Sequence, residues 1–304
     1  MIIPFAHRGD IGYAPENTLP AFERAASLNC SVELDIQFTK DNEVVVFHDK
    51  TLKRLGLGTN LVSYNTPISE MTWEFLKNID IPYGGHLLNY FPEEGFVNEE
   101  FYYYPWSLDT SENIIRIAKK YNYDIQKILE CYNNKYEQAI KLDTRTAKIM
   151  HFEEFLYWVK EQADDFTAEI EYKAIGLTRK VLDLIEKTQT SNKCILMSGV
   201  EEYNDEMQNY IAKNGKPNGL KLGANIRYLN DYNKNLIEDW DLYEVGLNAN
   251  TYGKEEVKYL EQQGIKVFSN LGDTPAWWNE MQTNGTHAFK TNCLSKYLEN
   301  YRSN

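Results

Sequence analysis

Residues 168–197 read AEIEYKAIGLTRKVLDLIEKTQTSNKCILM. The stretch opens on a short apolar run at 168–172, passes through a helical pattern at 177–188 and closes on a second apolar run at 193–197. Val181-Leu182-Asp183-Leu184-Ile185 supplies the apolar face of the helix, and Cys194-Ile195-Leu196-Met197 has the composition of a buried strand. Strand, helix, strand is the unit of a parallel sheet, because parallel neighbours need a long crossover between them.

The alternation continues in both directions. Apolar runs at 2–6, 32–36, 219–222, 242–247, 265–269 and 286–290 bring the strands to eight. Helical patterns lie near 18–28, 152–163, 201–213, 227–239, 253–264 and 274–283, with a last one at 293–301, and Gly264 suits a helix C-cap. Eight such repeats predict an α/β fold, a TIM-type (β/α)8 barrel. The 304 residues allow either two average domains or one large barrel with insertions.

One apolar run falls outside the count. Val44-Val45-Val46-Phe47 follows Phe38-Thr39 across only Lys40-Asp41-Asn42-Glu43, too short a link for parallel pairing. Residues 37–48 are therefore predicted to form a hairpin arm rising from the second strand, folding His48 back towards 33–35. About a hundred residues then precede the helix at 152, well past an ordinary loop. Up to Gly85 they are polar and turn-rich, and Phe101-Tyr102-Tyr103-Tyr104-Pro105-Trp106 is densely aromatic. Residues 111–142 read as two helices with apolar positions at Ile114, Ile117, Ile125, Ile128 and Leu129. The reading is one barrel domain over 1–304 carrying 56–148 as an inserted cap between the second strand and second helix. The cap is expected over the strand ends, with Tyr103 and Trp106 as pocket-lining candidates.

Composition narrows the function. Hydrophobic residues make up 42 % of the chain and charged residues 25 %, which is globular. A formal net charge of −13 repels nucleic acid and anionic lipid, so an anionic substrate needs a local cationic site. Cys30, Cys131, Cys194 and Cys293 are far apart and read as reduced thiols, neither a disulfide framework nor a zinc cluster. MIIPFAHRGD lacks the pattern of a secretory signal, and no apolar run reaches the roughly 18–20 residues of a membrane span. The expectation is a soluble, cytoplasmic protein of unspecified oligomeric state.

Barrel enzymes work at the C-terminal ends of their strands. There the first strand carries His7-Arg8-Gly9, followed by Pro15-Glu16-Asn17-Thr18, where Asn17 or Thr18 fits a helix N-cap. Glu33 and Asp35 lie two apart on the second strand and face one way, which inside a barrel calls for something positive between them. Glu171 and Lys173 repeat the spacing on the third strand, with Glu169 one pleat deeper and able to pair with a basic side chain in the interior. Oxygen-only ligands suit Mg²⁺, Ca²⁺ or Mn²⁺ better than zinc. His48, at the end of the hairpin, supplies a second imidazole. Two imidazoles can divide proton removal and proton delivery between them, while Arg8 and Lys173 neutralise a phosphoryl group.

Taken in order, His7-Arg8-Gly9, Pro15-Glu16-Asn17-Thr18, Glu33 to Asp41, Val45 to Asp49 and Glu171-Tyr172-Lys173 resemble the glycerophosphodiester phosphodiesterase family. The match is close over 1–55 and looser but collinear from 150 onward. The resemblance implies a metal-dependent barrel with an insertion after the second strand and a place in lipid metabolism. It implies that His7 and His48 are the catalytic pair, that Glu33, Asp35 and Glu171 hold one divalent cation, and that Arg8, Lys173 and Glu16 line the phosphate pocket. The substrate would be a glycerophosphodiester, cleaved to glycerol phosphate and an alcohol that an aromatic cap allows to be a sugar. Members often end the fourth, seventh and eighth strands in Ser-Phe, Trp-Thr-Val and Thr-Asp, where this chain has Ser198-Gly199, Phe268-Ser269-Asn270 and Thr291-Asn292. Three alternatives stand beside this reading: a transferase stopping at the cyclic phosphate, a non-catalytic phosphate- or glycan-binding barrel, and a zinc site using both histidines.

Overall fold

The computed structural model describes residues 2–52, 66–83, 145–249, 251–270, 272–273 and 275–302. Strand β1 (Ile3–His7), helix α1 (Leu19–Ser27) and strand β2 (Ser31–Phe38) begin the alternation, and β3 (Val44–Val46) folds back on β2. Helix α2 (Trp73–Leu76) and strands β4 (Asp80–Pro82), β5 (Thr146–Lys148) and β6 (Met150–His151) follow. The regular repeat resumes with α3 (Phe152–Lys160), β7 (Ala168–Tyr172), α4 (Thr178–Thr188), β8 (Cys194–Met197) and α5 (Glu201–Asn214). It ends with β9 (Lys221–Arg227), α6 (Asp231–Asp239), β10 (Glu244–Asn248), α7 (Lys254–Gln262), β11 (Lys266–Asn270), α8 (Pro275–Asn284), β12 (Ala288–Thr291) and α9 (Leu294–Arg302).

The order β1-β12-β11-β10-β9-β8-β7-β2 is parallel throughout, and β2 pairs again with β1, so eight strands close into the expected barrel. The hairpin is antiparallel as read, with Ile36 opposite Val46 and Phe38 opposite Val44. Its triple valine has a two-sided cause. Val44 and Val46 pack into the main core, while Val45 faces a satellite core of Phe47, Leu52, Ile68, Met71, Leu76, Ile79, Ile81 and Ile149. The described parts of the predicted cap, 66–83 and 145–148, thus attach to the hairpin through this satellite core and the β4–β5 ribbon. Tyr103, Trp106 and the helices read at 111–142 lie outside the described residues.

Apolar residues of β2 face the helices, where Val32, Leu34 and Ile36 join Phe22, Phe152 and Phe155 in the main core. The alternate residues Glu33, Asp35 and Gln37 are consequently turned inward, and all three are buried. Strand β9 runs to Arg227, beyond the apolar run that ends at 222, because its second half is Gly223-Ala224-Asn225-Ile226-Arg227 and carries small or polar residues on the interior face. Cys30, Cys194 and Cys293 are free and buried.

The barrel interior is only partly apolar. Phe5, Ile195, Phe268 and Ala288 form one cluster. Beside it Lys290 Nζ lies 2.5 Å from Glu169 Oε1, the interior partner expected for Glu169. Glu244 is fully buried, and neither of its oxygens has a hydrogen-bond partner among the described residues. Gly223 makes room for it, since a Cβ there would stand 1.7 Å from Glu244 Oε1. Burial would lower the Lys290 pKa, but Glu169 and Glu244 raise it further and hold the ammonium charged. One ammonium does not neutralise two carboxylates, so burial, then Glu169, pushes the Glu244 carboxyl well above its ordinary value.

Two stability measurements follow from this arrangement. Lys290→Met leaves both carboxylates buried without their cation and is expected to cost about 3–5 kcal/mol in denaturant unfolding. Glu244→Gln tests the proton. A raised folded-state pKa contributes stability that is complete below the unfolded value of about 4.5 and is lost as pH rises towards the folded one. The stability of Glu244→Gln relative to wild type should therefore grow with pH from about 4.5 upward. A difference independent of pH would mean that Glu244 is ionised throughout.

Candidate active site

The site begins where β1 turns into its loop. Arg8 and Gly9 both adopt left-handed backbone, with φ of 59° and 85°. Gly9 is also pressed against α1, where a Cβ would come within 2.7 Å of the Ala21 Cβ. This turn aims the Arg8 backbone N–H at Glu33 Oε2, 3.0 Å away. The guanidinium then spans two carboxylates, with Nη1 3.0 Å from Glu16 Oε1 and Nε 3.1 Å from Asp35 Oδ2.

Strand register assembles the acidic group. His7 is level with Glu33, Glu33 with Glu169, and Asp35 with Glu171. Oxygens of Glu33, Asp35 and Glu171 lie within 4.8 Å of one another, and this is the one group suited to hold an ion among the described residues. Lys173 Nζ reaches Glu171 Oε1 at 2.6 Å and Asp35 Oδ1 at 3.1 Å. Burial would raise the Asp35 carboxyl, yet Lys173, then His48 and Arg8, hold it well below the usual range. Glu33 moves the other way, raised by burial and then by Asp35 and Glu171. Its Oε1 is buried with no hydrogen-bond partner among the described residues. An orphaned carboxylate oxygen beside two further carboxylates fits a hard divalent cation. Neither histidine belongs to that group, which argues against the zinc alternative.

The two imidazoles are held differently. His7 Nδ1 is 2.7 Å from Asn292 Oδ1. Asn292 cannot be turned round, because its Nδ2 donates to Asp273 Oδ2 at 2.8 Å and a carboxylate only accepts. Asp273 also accepts from the Asn292 backbone N–H and the Thr291 hydroxyl. The neutral His7 ring therefore donates from Nδ1 and keeps the Nε2 lone pair free, 3.8 Å from Glu33 Oε2. Burial, then Arg8, pushes the His7 pKa down to about 3, so the ring is neutral. His48 Nδ1 lies 2.5 Å from Asp49 Oδ1. The Gln37 amide fixes the loop around it, donating to the carbonyls of Phe47 and Asp49, each at 2.8 Å.

Seven of the eight residues singled out from the sequence, His7, Arg8, Glu16, Glu33, Asp35, Glu171 and Lys173, are joined by contacts at the strand ends, and His48 lies near enough to act on Asp35 by its charge. Asn17 belongs there too. It is not the N-cap of α1, a position taken by Thr18. At φ 55° its Nδ2 donates to Asp35 Oδ2 at 2.9 Å, and its Oδ1 accepts from the Asp35 N–H at 3.3 Å. Gln37 was legible, sharing a strand face with Glu33 and Asp35. Asp273 carries no local signal, and Asn292 stands out only as a departure from the Thr-Asp that often ends the eighth strand.

The acidic group can be tested by stability alone. At about 100 times its dissociation constant a cation bound only by the folded chain adds about 2.7 kcal/mol. Mg²⁺, Ca²⁺ or Mn²⁺ should accordingly raise the unfolding midpoint of wild type. Glu33→Gln should fold in metal-free buffer and lose that response. An equal cation response in both proteins would remove Glu33 from the ligand set.

Among the described residues no helix is long and apolar enough to cross a membrane. Glycerophosphodiester phosphodiesterase of Caldanaerobacter subterraneus is 32 % identical over 155 residues, 45 % of this chain and 60 % of its own. Human glycerophosphodiester phosphodiesterase 1 is 38 % identical over 94 residues, 31 % of this chain and 27 % of its own, so the matches span less than two thirds of either relative. Two solved structures share the fold over nearly the whole length. A glycerophosphodiester phosphodiesterase of Agrobacterium tumefaciens superposes with a TM-score of 0.61 at 16 % identity, covering 96 % of this chain and 97 % of its own. A phosphodiesterase of Oleispira antarctica gives 0.63 at 15 % identity, covering 98 % and 95 %. The model of the glycerophosphoryl diester phosphodiesterase family matches residues 7–292, from the first histidine of the site to the asparagine that holds it, and the chain belongs to that family.

Proposed function

We propose that this chain hydrolyses glycerophosphodiesters to glycerol phosphate and an alcohol, using one divalent cation and two histidines. One observation carries the reading: the Glu33–Asp35–Glu171 group lies beside the His7 imidazole and both cations, Arg8 and Lys173, with His48 near enough to act on Asp35 by its charge. The Oleispira phosphodiesterase was solved with the product sn-glycerol-3-phosphate, which supports the same product for this chain. Glu33, Asp35 and Glu171 would hold Mg²⁺, Ca²⁺ or Mn²⁺, which when bound supplies Lewis acidity towards a phosphoryl oxygen.

His7 takes the proton of the glycerol hydroxyl next to the phosphoester at its free Nε2, as that oxygen attacks phosphorus. His48, held by Asp49, gives a proton to the departing alcohol oxygen. Water then opens the cyclic phosphate with the two roles exchanged. Arg8 and Lys173, which pair with Asp35, Glu16 and Glu171, bind the phosphoryl oxygens. The cap reading is kept within this function: one barrel domain, with 56–148 inserted beside the hairpin that carries His48.

Chelation should abolish hydrolysis, and Mg²⁺, Ca²⁺ or Mn²⁺ should restore it. His7→Ala and His48→Ala should each lower kcat by roughly 100-fold or more, and the double variant by less than the product of the two. Near-wild-type kcat in either variant would remove that residue from the mechanism. Phosphorus NMR of the products separates hydrolysis from a transferase that stops at the cyclic phosphate, and binding without turnover would favour the non-catalytic barrel.

A further inference from the structure

Going round the mouth of the barrel, β1, β2 and β7 contribute imidazole, carboxylates and cations. The opposite strands β9, β10 and β11 contribute Asn225, Asn248 and Asn270. These asparagines share the interior face of their strands with Gly223, Glu244 and Phe268 respectively, and Asn248 and Asn270 are level in the register. Asn270 is buried, while Asn225 and Asn248 are half-buried.

The orientation of all three amides follows from one ion. The Lys290 ammonium can only donate, and it donates to Asn270 Oδ1 at 3.2 Å. Asn270 must therefore present Nδ2 to its neighbours, and that nitrogen donates to Asn225 Oδ1 at 2.6 Å and Asn248 Oδ1 at 3.3 Å. With their oxygens engaged, Asn225 and Asn248 are left with their amide N–H groups, which have no partner among the described residues. Gly199 keeps this rim open to the acidic half. A Cβ there would stand 3.4 Å from Glu171 Oε1 and 3.8 Å from Asn225 Nδ2, in the space between them.

We propose that Asn225 and Asn248 form a donor-only subsite for the alcohol part of the substrate, favouring diesters of a neutral polyol over diesters of a quaternary ammonium alcohol. The proposal rests on the phosphodiesterase reading. In that reading the attacking glycerol hydroxyl sits at His7 and the departing oxygen within reach of His48, which leaves the amide half for the rest of the alcohol. Donor N–H groups suit hydroxyl oxygens and offer a trimethylammonium nothing. An anionic alcohol is disfavoured by the neighbouring Glu171 and by the net charge of −13.

The test compares kcat/KM for glycerophosphoinositol, glycerophosphocholine and glycerophosphoethanolamine, each with the cation supplied. Wild type should prefer the inositol diester. Asn225→Ala or Asn248→Ala should lower kcat/KM for it about three- to tenfold, chiefly through KM, the scale of one neutral hydrogen bond. Asn225→Asp and Asn248→Asp are close in shape, still accept from Asn270, and turn an acceptor to the alcohol. Each should lower the inositol-to-choline ratio by about tenfold or more, a reversal that a merely structural role would not produce. Preference of wild type for choline, or equal losses on all three diesters in the Ala and Asp variants, would overturn the subsite while leaving the phosphodiesterase reading intact. Hydrolysis of none of the three by wild type would overturn both.

Discussion

Three carboxylates are crowded at the strand ends of one barrel, two of them wholly buried, and much of the surrounding structure answers that repulsion. Glu33, Asp35 and Glu171 would repel one another strongly in a dry interior. Lys173 bridges Glu171 and Asp35, Arg8 bridges Asp35 and Glu16, and Asn17 donates to Asp35 from a left-handed backbone. The Arg8 backbone is strained for the same reason, because only that turn brings its N–H to Glu33 while its side chain reaches Asp35. Asp35 is compensated by four positive or polar neighbours, whereas Glu33 keeps one oxygen unpartnered. That asymmetry fits a divalent cation: carboxylates held in place by their neighbours, with a buried oxygen of Glu33 left for a ligand.

The barrel and the candidate cluster were legible because both are written in short-range patterns. Apolar runs and helical faces alternate through 168–197 and beyond, and carboxylates two apart must share a strand face. The hairpin was legible from a four-residue link that excludes parallel pairing. What was not legible depends on pairs distant in sequence. Asn292 looked like an ordinary rim residue, and only closure of β12 on β1 brings it to His7. Asn17 has the composition of a cap, and only the fold shows its amide turned towards Asp35 instead. The second half of β9 escaped because its interior residues, Gly223 and Asn225, serve Glu244 and the amide cluster and not an apolar core.

Asparagine amides can be flipped, and the two faces of this site remove that freedom in the same manner. At His7 the Asp273 carboxylate, an obligate acceptor, fixes Asn292, and Asn292 in turn fixes the imidazole tautomer. At the opposite rim the Lys290 ammonium, an obligate donor, fixes Asn270, which fixes Asn225 and Asn248. In each case a buried ion determines which hydrogen-bonding face is presented to the site.

This gives the polar interior a reason beyond stability. A buried lysine between two glutamates is a poor way to hold a barrel together, since hydrophobic residues of similar volume are often as stabilising or more so. Lys290 sits at the branch point: its ammonium meets Glu169 on one side and Asn270 on the other. An apolar residue there would leave Asn270 free to present either end of its amide, and with it Asn225 and Asn248. The charge in the barrel core therefore sets the polarity of the pocket rim, and the buried Glu169, 2.5 Å from the ammonium, is its nearest counter-charge.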